Sequence, residues 1–490
     1  MSVVARQSLK YSIVGYFSTL IGILSTVFLY PHDLDFAGKI QYILPTALLA
    51  LPLVTFGIMH ANVRFYPRME QSQNQHNLLK YSIWFIIRNF VIVTVLFWGL
   101  SYFIEQIRQT QFYAFGEYIF PVMLCLALIQ LFSRFISIRK RIVVPNIFEN
   151  VFPKLGLIFA FGAYFFLKVE AATAIWIVVL FFVFALIGMF FYVQRLDRFT
   201  GKTSFAFLKE NNFQKELMQY SFYTFFGSLG SIVALNIDAF MIGEFIDDFS
   251  QLAIYNTSAN LVRMITVPAL GVYTISAPII AKYIEENNMS DLKDLHHKTS
   301  LYLFTMGAVL FGLVASGIED LFGLMKNGSE LAQGLPVVYI LGFALLFDLA
   351  TGFNGYIITN SKYYKFNNTT TIALALLTVV NNLIFLLIFK MGIIGVAIAT
   401  TISLTVYNLI KIGFNYKKFG VHPFSSKYLY VLGLLTVVLA VGKFLPDFDN
   451  KFITLCYKPA VAFVIFALGN QIFKIIPLKE VMPKSLFGKK

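Results

Sequence analysis

Fourteen apolar runs, most of them of about 20 residues or more, follow one another along this 490-residue chain, and that recurrence constrains the fold more than any motif. In lipid, a run of that length must satisfy its own backbone N–H and C=O groups, which a helix does. The runs predict helices at 8–30, 38–59, 80–104, 117–137, 143–167 and 171–192, then at 217–245, 250–283, 299–318, 333–360, 367–389 and 391–412, and finally at 427–444 and 452–474. The first run is too long for the core of a cleaved leader and has no small-residue cleavage site after it, so it reads as a span. With 58% apolar and only 13% charged residues, the expected class is an all-α membrane protein. No connection is long enough to fold as a soluble domain. The net charge of +14 therefore does not describe a nucleic-acid-binding face.

The basic residues follow membrane topology instead. Arg64 and Arg68, then Arg139, Lys140 and Arg141, then Arg195, Arg198, Lys202, Lys209 and Lys215, and later Lys417 and Lys418 fall in alternate connections. Acidic residues such as Asp33, Asp35, Glu244, Asp247, Asp248, Glu319 and Asp320 occupy the others. By the positive-inside rule, both termini are expected in the cytoplasm.

The first and second sets of six runs can be laid over one another in the same direction. Tyr11-Ser12 falls on Tyr220-Ser221, Phe17 on Phe226, Pro52 on Pro268, Lys80 on Lys298, and Pro121-Val122 on Pro336-Val337, in unbroken order. An even number of spans per half gives both halves the same orientation, a layout found in transporters with a site between repeats. The chain is accordingly read as an N-terminal six-helix lobe (1–210), a C-terminal six-helix lobe (211–420), and two further helices with a basic tail (421–490), the lobes surrounding a central cavity.

Polar residues recur at helical spacing. Gly227, Ser231, Ala234 and Asp238 share one face of the seventh run, and Asn256, Asn260 and Arg263 one face of the eighth. Asp348, Gly352, Gly355 and Thr359 do so on the tenth, and Thr401, Thr405 and Asn408 on the twelfth. Small and hydroxylated residues also serve where membrane helices approach closely, and Gly227, Ser231 and the twelfth-run strip are read that way. A charge at mid-bilayer costs roughly 2.5 kcal/mol or more, so Arg263 and Asp238 are expected to handle substrate or ions, or to pair with one another. Arg88 and Lys154 are expected to line the cavity, with Glu149 neutralising one of them. Arg134, near a helix end, is expected to snorkel to the interface.

Enzyme signatures fail on inspection. Gly201-Lys202-Thr203 imitates the end of a phosphate-binding loop, but Leu196 stands where the first glycine belongs. His296-His297 read as solvated linker histidines rather than a metal pair. Cys125 and Cys456 stand alone in apolar runs. No cofactor or metal is expected.

The stretch IDAFMIGEFIDDFSQLAIYNTSANLVRM, from Ile237 to Met264, resembles the seventh and eighth spans of Wzx-type polysaccharide flippases. The segment NNLIFLLIFKMGIIGVAIATTISLTVYNLIK, from Asn381 to Lys411, is similar to their eleventh-to-twelfth turn. Arg263, five residues before Pro268, is similar to the eighth helix of the lipid II flippase branch. All belong to the MATE/Wzx/MurJ superfamily of exporters. The first turn, Pro31 to Gly38, departs from that pattern because the small-residue lead-in is missing.

The resemblance implies alternating access that moves an undecaprenyl-pyrophosphate-linked oligosaccharide from the cytoplasmic to the outer leaflet of a bacterial inner membrane, for O-antigen-like polysaccharide biosynthesis alongside other assembly proteins. In that reading Arg263, with Lys154 and Arg88, attracts the pyrophosphate, and Asn256, Asn260 and Tyr255 meet sugars. Asp238 or Asp348 couples the cycle to a proton, sodium or the membrane potential. The rivals are an ion-coupled drug antiporter of the same fold, which calls for an acidic cavity, and a membrane glycosyltransferase or polymerase using the same lipid carrier.

Overall fold

A computed structural model describes residues 3–198 and 203–476 of the chain; Gly201-Lys202 and the basic tail lie outside them. The described residues form helices joined by short turns, with no strand among them. Among the described residues, fourteen helices are long and apolar enough to cross a membrane: Ile13–His32, Leu34–Thr55, Gln75–Phe103, Gly116–Ile138, Val143–Leu167, Ala171–Leu196, Phe213–Phe245, Phe249–Glu285, Met289–Leu324, Gly328–Ala350, Tyr364–Ile388, Gly392–Phe419, Lys427–Phe444 and Lys451–Phe473. They are called the first to fourteenth spans below. The chain is a multi-pass membrane protein of all-α class.

Packing divides the chain into two compact units, Met1–Ala253 and Ile254–Lys490. This division falls one span later than the one drawn from the repeat, because the seventh span lies along the second and along the helix Ile58–Gln71. In the first unit the fourth span is the most enclosed, flanked by the second, third and sixth. In the second unit the ninth span is central, packed on the tenth, thirteenth and fourteenth.

Several spans depart from the single continuous helices that hydropathy predicts. The second does not run on to residue 59: Phe56 (φ 42°) and Gly57 (φ 75°) are both left-handed, and the helix restarts at Ile58. Gly57 is required there because a Cβ would overlap the Ser221 carbonyl as well as strain the backbone. The eighth span kinks through a 3-10 turn at Met264–Thr266. Pro268, just beyond, has no N–H to continue the ladder and its ring crowds the carbonyl four residues back. The tenth ends at Ala350, turns through Gly352 (φ 62°), and resumes as Asn354–Thr359, so the run 333–360 is not one helix. The fifth carries a π-helical turn at Ile147–Val151.

The expectation of solvated histidines at 296 and 297 is corrected. The ninth helix begins at Met289 and carries His296 inward, with His297 half-buried beside it. His296 is fully buried with its ring 4.8 Å from that of Phe353, and His297 faces His422 at 4.8 Å between ring centroids. Asn288 caps the start of this helix, its side chain accepting from Asp291 N.

Candidate functional site

The eighth span opens with the helix Phe249–Arg263, and Arg263 is its last residue before the kink. The polar strip of this span is partly open: Asn260 and Arg263 are exposed and Asn256 is half-buried. Tyr255 is only 1% exposed; one residue from Asn256 it is turned by about 100°, onto the buried side. It therefore does not share a surface with Asn260 and Arg263, as the sugar-contact expectation required. Arg263 makes no ion pair with any described residue, and the kink is tied by Thr266 Oγ1 donating to the Arg263 carbonyl at 2.8 Å. A guanidinium carried this way presents a planar fork of N–H donors suited to a phosphate.

The other predicted residues are dispersed. Asp238 is buried on the seventh span and belongs to the first unit, whereas Arg263 belongs to the second. Arg88 lies on an exposed face of the third span with its guanidinium over the rings of Trp84 and Phe85. Lys154 donates to the Ser18 carbonyl at 2.6 Å, which ties the fifth span to the first. Glu149 neutralises neither Arg88 nor Lys154. It is bonded to Ser133 and faces Arg134, because the proline-bent, π-turned start of the fifth span points it toward the fourth. Arg134 lines a polar chamber together with Glu149.

Asp348 sits three residues before Thr351, where the tenth span breaks. Asn408 of the twelfth span donates to its carboxylate at 2.9 Å, and Thr351 Oγ1 donates to Asn408 Oδ1 at 3.4 Å. One turn further along, Lys411 is only 4% exposed and donates to Tyr407 Oη. Its ammonium lies against Gly355 in the resumed segment of the tenth span, where a Cβ would stand 3.1 Å away. Asn415, fully buried, donates to Asn354 Oδ1 at 2.8 Å. The broken tenth span is thus held by a line of Asn408, Lys411 and Asn415 on the twelfth. Hydropathy assigned Lys411 to the helix end; the signal was its spacing of three and four from the two asparagines.

The second unit also holds a partly open apolar chamber of about 700 Å³ between the eighth, ninth, thirteenth and fourteenth spans. Val272, Met306, Leu310, Leu434, Phe463 and Phe466 form most of its wall. Thr305 and Asn470 are among its few polar neighbours.

Three comparisons bear on these features. The family model described as polysaccharide biosynthesis protein matches residues 11–284. None of the curated proteins matches the chain. Among solved structures, the fold is similar to that of the lipid II flippase MurJ in an inward closed conformation, with TM-score 0.68 and 16% identity over 94% of this chain and 98% of that one. It is also similar to an inward-facing multidrug resistance MATE family transporter of the MOP superfamily, with TM-score 0.62 and 12% identity over 82% and 94%. A MOP superfamily transporter from Pyrococcus furiosus matches with TM-score 0.53 and 14% identity over 85% and 95%.

Proposed function

Because the chain belongs to the polysaccharide biosynthesis protein family and has the fold of the MOP-superfamily exporters, we propose that it is a flippase. Its substrate is a polyprenyl-pyrophosphate-linked oligosaccharide, moved from the cytoplasmic to the outer leaflet of a bacterial inner membrane by alternating access. Both termini lie in the cytoplasm, as the basic connections require.

The observation that carries this reading is the apolar chamber walled by the thirteenth and fourteenth spans. A hydrocarbon-lined space of that size, within the roughly 300–1,000 Å³ of ligand sites and with few polar groups on its wall, suits the chain of a lipid carrier. Arg263 supplies the complementary end, an exposed guanidinium for the pyrophosphate. Asn256 and Asn260 continue its face toward the sugars, and Asp238 and Asp348 are the carboxylates available for ion coupling.

The test is leaflet transfer of a fluorescent undecaprenyl-pyrophosphate-linked sugar in vesicles containing the purified protein, read by chemical quenching of the outer leaflet. Wild-type protein is expected to move the probe, and Arg263→Ala to abolish transfer. Absence of transfer by folded wild-type protein, with uptake of a cationic dye instead, would favour a drug antiporter of the same fold.

A further inference from the structure

The first unit holds a polar chamber of about 530 Å³ that the reading of Arg263 leaves unused. Its wall on the fourth span is formed by Gln130, Ser133, Arg134 and Ser137. These stand at i, i+3, i+4 and i+7, so all four share one helix face. Opposite them, the fifth span contributes Glu149 and Asn150. Leu44, Leu48 and Leu126 give the chamber an apolar side.

The opposing wall is built, not incidental. The π-helical turn at Ile147–Val151 shifts the register of the fifth span at Glu149 and Asn150, and such turns recur at functional sites. Asn150 Nδ2 donates to Asn146 Oδ1 at 2.6 Å, Ser18 Oγ donates to the Asn150 carbonyl at 2.9 Å, and Asn146 Nδ2 donates to the Tyr11 carbonyl at 3.1 Å. Ser18 and Tyr11 of the helix Val3–Phe28 therefore hold the turn, and Tyr11 also lines the chamber.

The charges select the occupant. Arg134 and Glu149 attract one another, yet no ion pair closes between them. Both groups keep hydrogen-bonding capacity, and their formal charges cancel, which disfavours a bare anion or cation. A carboxylate accepts from hydroxyls, a guanidinium donates to hydroxyl and ring oxygens, and the Gln130 and Asn150 amides do both. An apolar side beside such a set matches the C–H face of a sugar ring.

We propose that this chamber is a saccharide subsite, separate from the groups assigned to pyrophosphate and lipid, in which Glu149, Gln130 and Arg134 bind hydroxyl-bearing rings of the transported headgroup. It rests on the flippase reading above.

The test measures binding to the full-length protein in nanodiscs of two kinds of probe. One is bare undecaprenyl pyrophosphate; the other is a panel of undecaprenyl-pyrophosphoryl sugars carrying glucose, galactose, N-acetylglucosamine or N-acetylgalactosamine. At least one sugar-bearing probe is expected to bind about tenfold or more tighter than the bare lipid. Glu149→Gln and Gln130→Ala, each checked by thermal unfolding, are expected to erase that gain while the bare lipid binds as before. No gain from any sugar, or a gain that survives in both variants, overturns the subsite and leaves the flippase reading standing. Failure of folded wild-type protein to bind any of these lipids overturns the flippase reading itself, and the subsite with it.

Discussion

Asn408 donates a hydrogen bond to the Asp348 carboxylate across 2.9 Å, linking the twelfth span to the tenth just before the tenth breaks at Thr351. Removing the amide by Asn408→Ala leaves a half-buried carboxylate oxygen without its donor, a loss of about 1 kcal/mol. A lower midpoint of thermal unfolding in detergent is expected. Asp348→Asn keeps a hydrogen-bonding pair and is expected to fall less. Identical midpoints for wild type and Asn408→Ala would show that the bond does not hold the break together.

Gly38, near the start of the second span, is expected to tolerate no side chain. A Cβ there would overlap the backbone carbonyl of Phe249, which has no rotamer by which to withdraw. Gly38→Ala is expected to cost about 1–3 kcal/mol, as overpacking does. Gly433 in the thirteenth span has open space at the same distance, so Gly433→Ala is expected to be neutral or to stabilise by up to about 1 kcal/mol. Both are read by the same unfolding assay, and the opposite order would refute the packing argument.

The stability of the first unit is expected to fall with acid. Burial, reinforced by the Arg134 guanidinium, holds the His60 imidazole at about 4, below its ordinary value of 6.5. His60 lies on the helix Ile58–Gln71, outside the fourteen spans. Between those two values the unfolded chain carries a proton that the folded chain does not, so this contribution is complete above pH 6.5 and is lost as pH falls toward 4. Comparing unfolding midpoints at pH 7.5 and 4.5, wild type is expected to lose more than His60→Gln. Equal losses would assign the acid sensitivity elsewhere.

Ala467→Trp places an indole in the apolar chamber of the second unit, where Ala467 is an exposed part of the wall. Transfer of the lipid-linked probe is expected to drop several-fold with the unfolding midpoint nearly unchanged, since the ring fills open space rather than a packed core. Undiminished transfer would detach the chamber from the lipid chain.

Much of the fold was legible because lipid imposes a simple rule on sequence. All fourteen runs became spans, since length and hydropathy alone decide whether a helix can cross. The breaks at Phe56-Gly57 and Thr351–Phe353 were not legible in that way: a left-handed residue, Phe56, Gly57 or Gly352, interrupts a helix without changing its hydropathy. The polar strip of the eighth span could be read as far as Asn256, Asn260 and Arg263, whose spacing places them together. Tyr255, an aromatic expected to meet sugars, lies on the buried side of the same helix. His296 and Lys411 look like loop or helix-end residues by composition, yet both are buried.

The sequence by itself determined the class, the number of spans and the family, since each follows from local hydropathy or from matching residues in order. Tertiary structure alone decided what each polar residue faces. Glu149 meets Ser133 and Arg134 because a π-helical turn rotates it there, Lys154 is tied to the first span, and Asn408 holds Asp348. Spacing along one helix fixes which residues share a face, but which helix lies opposite depends on packing between segments far apart in the chain, and hydropathy is nearly the same for every such arrangement.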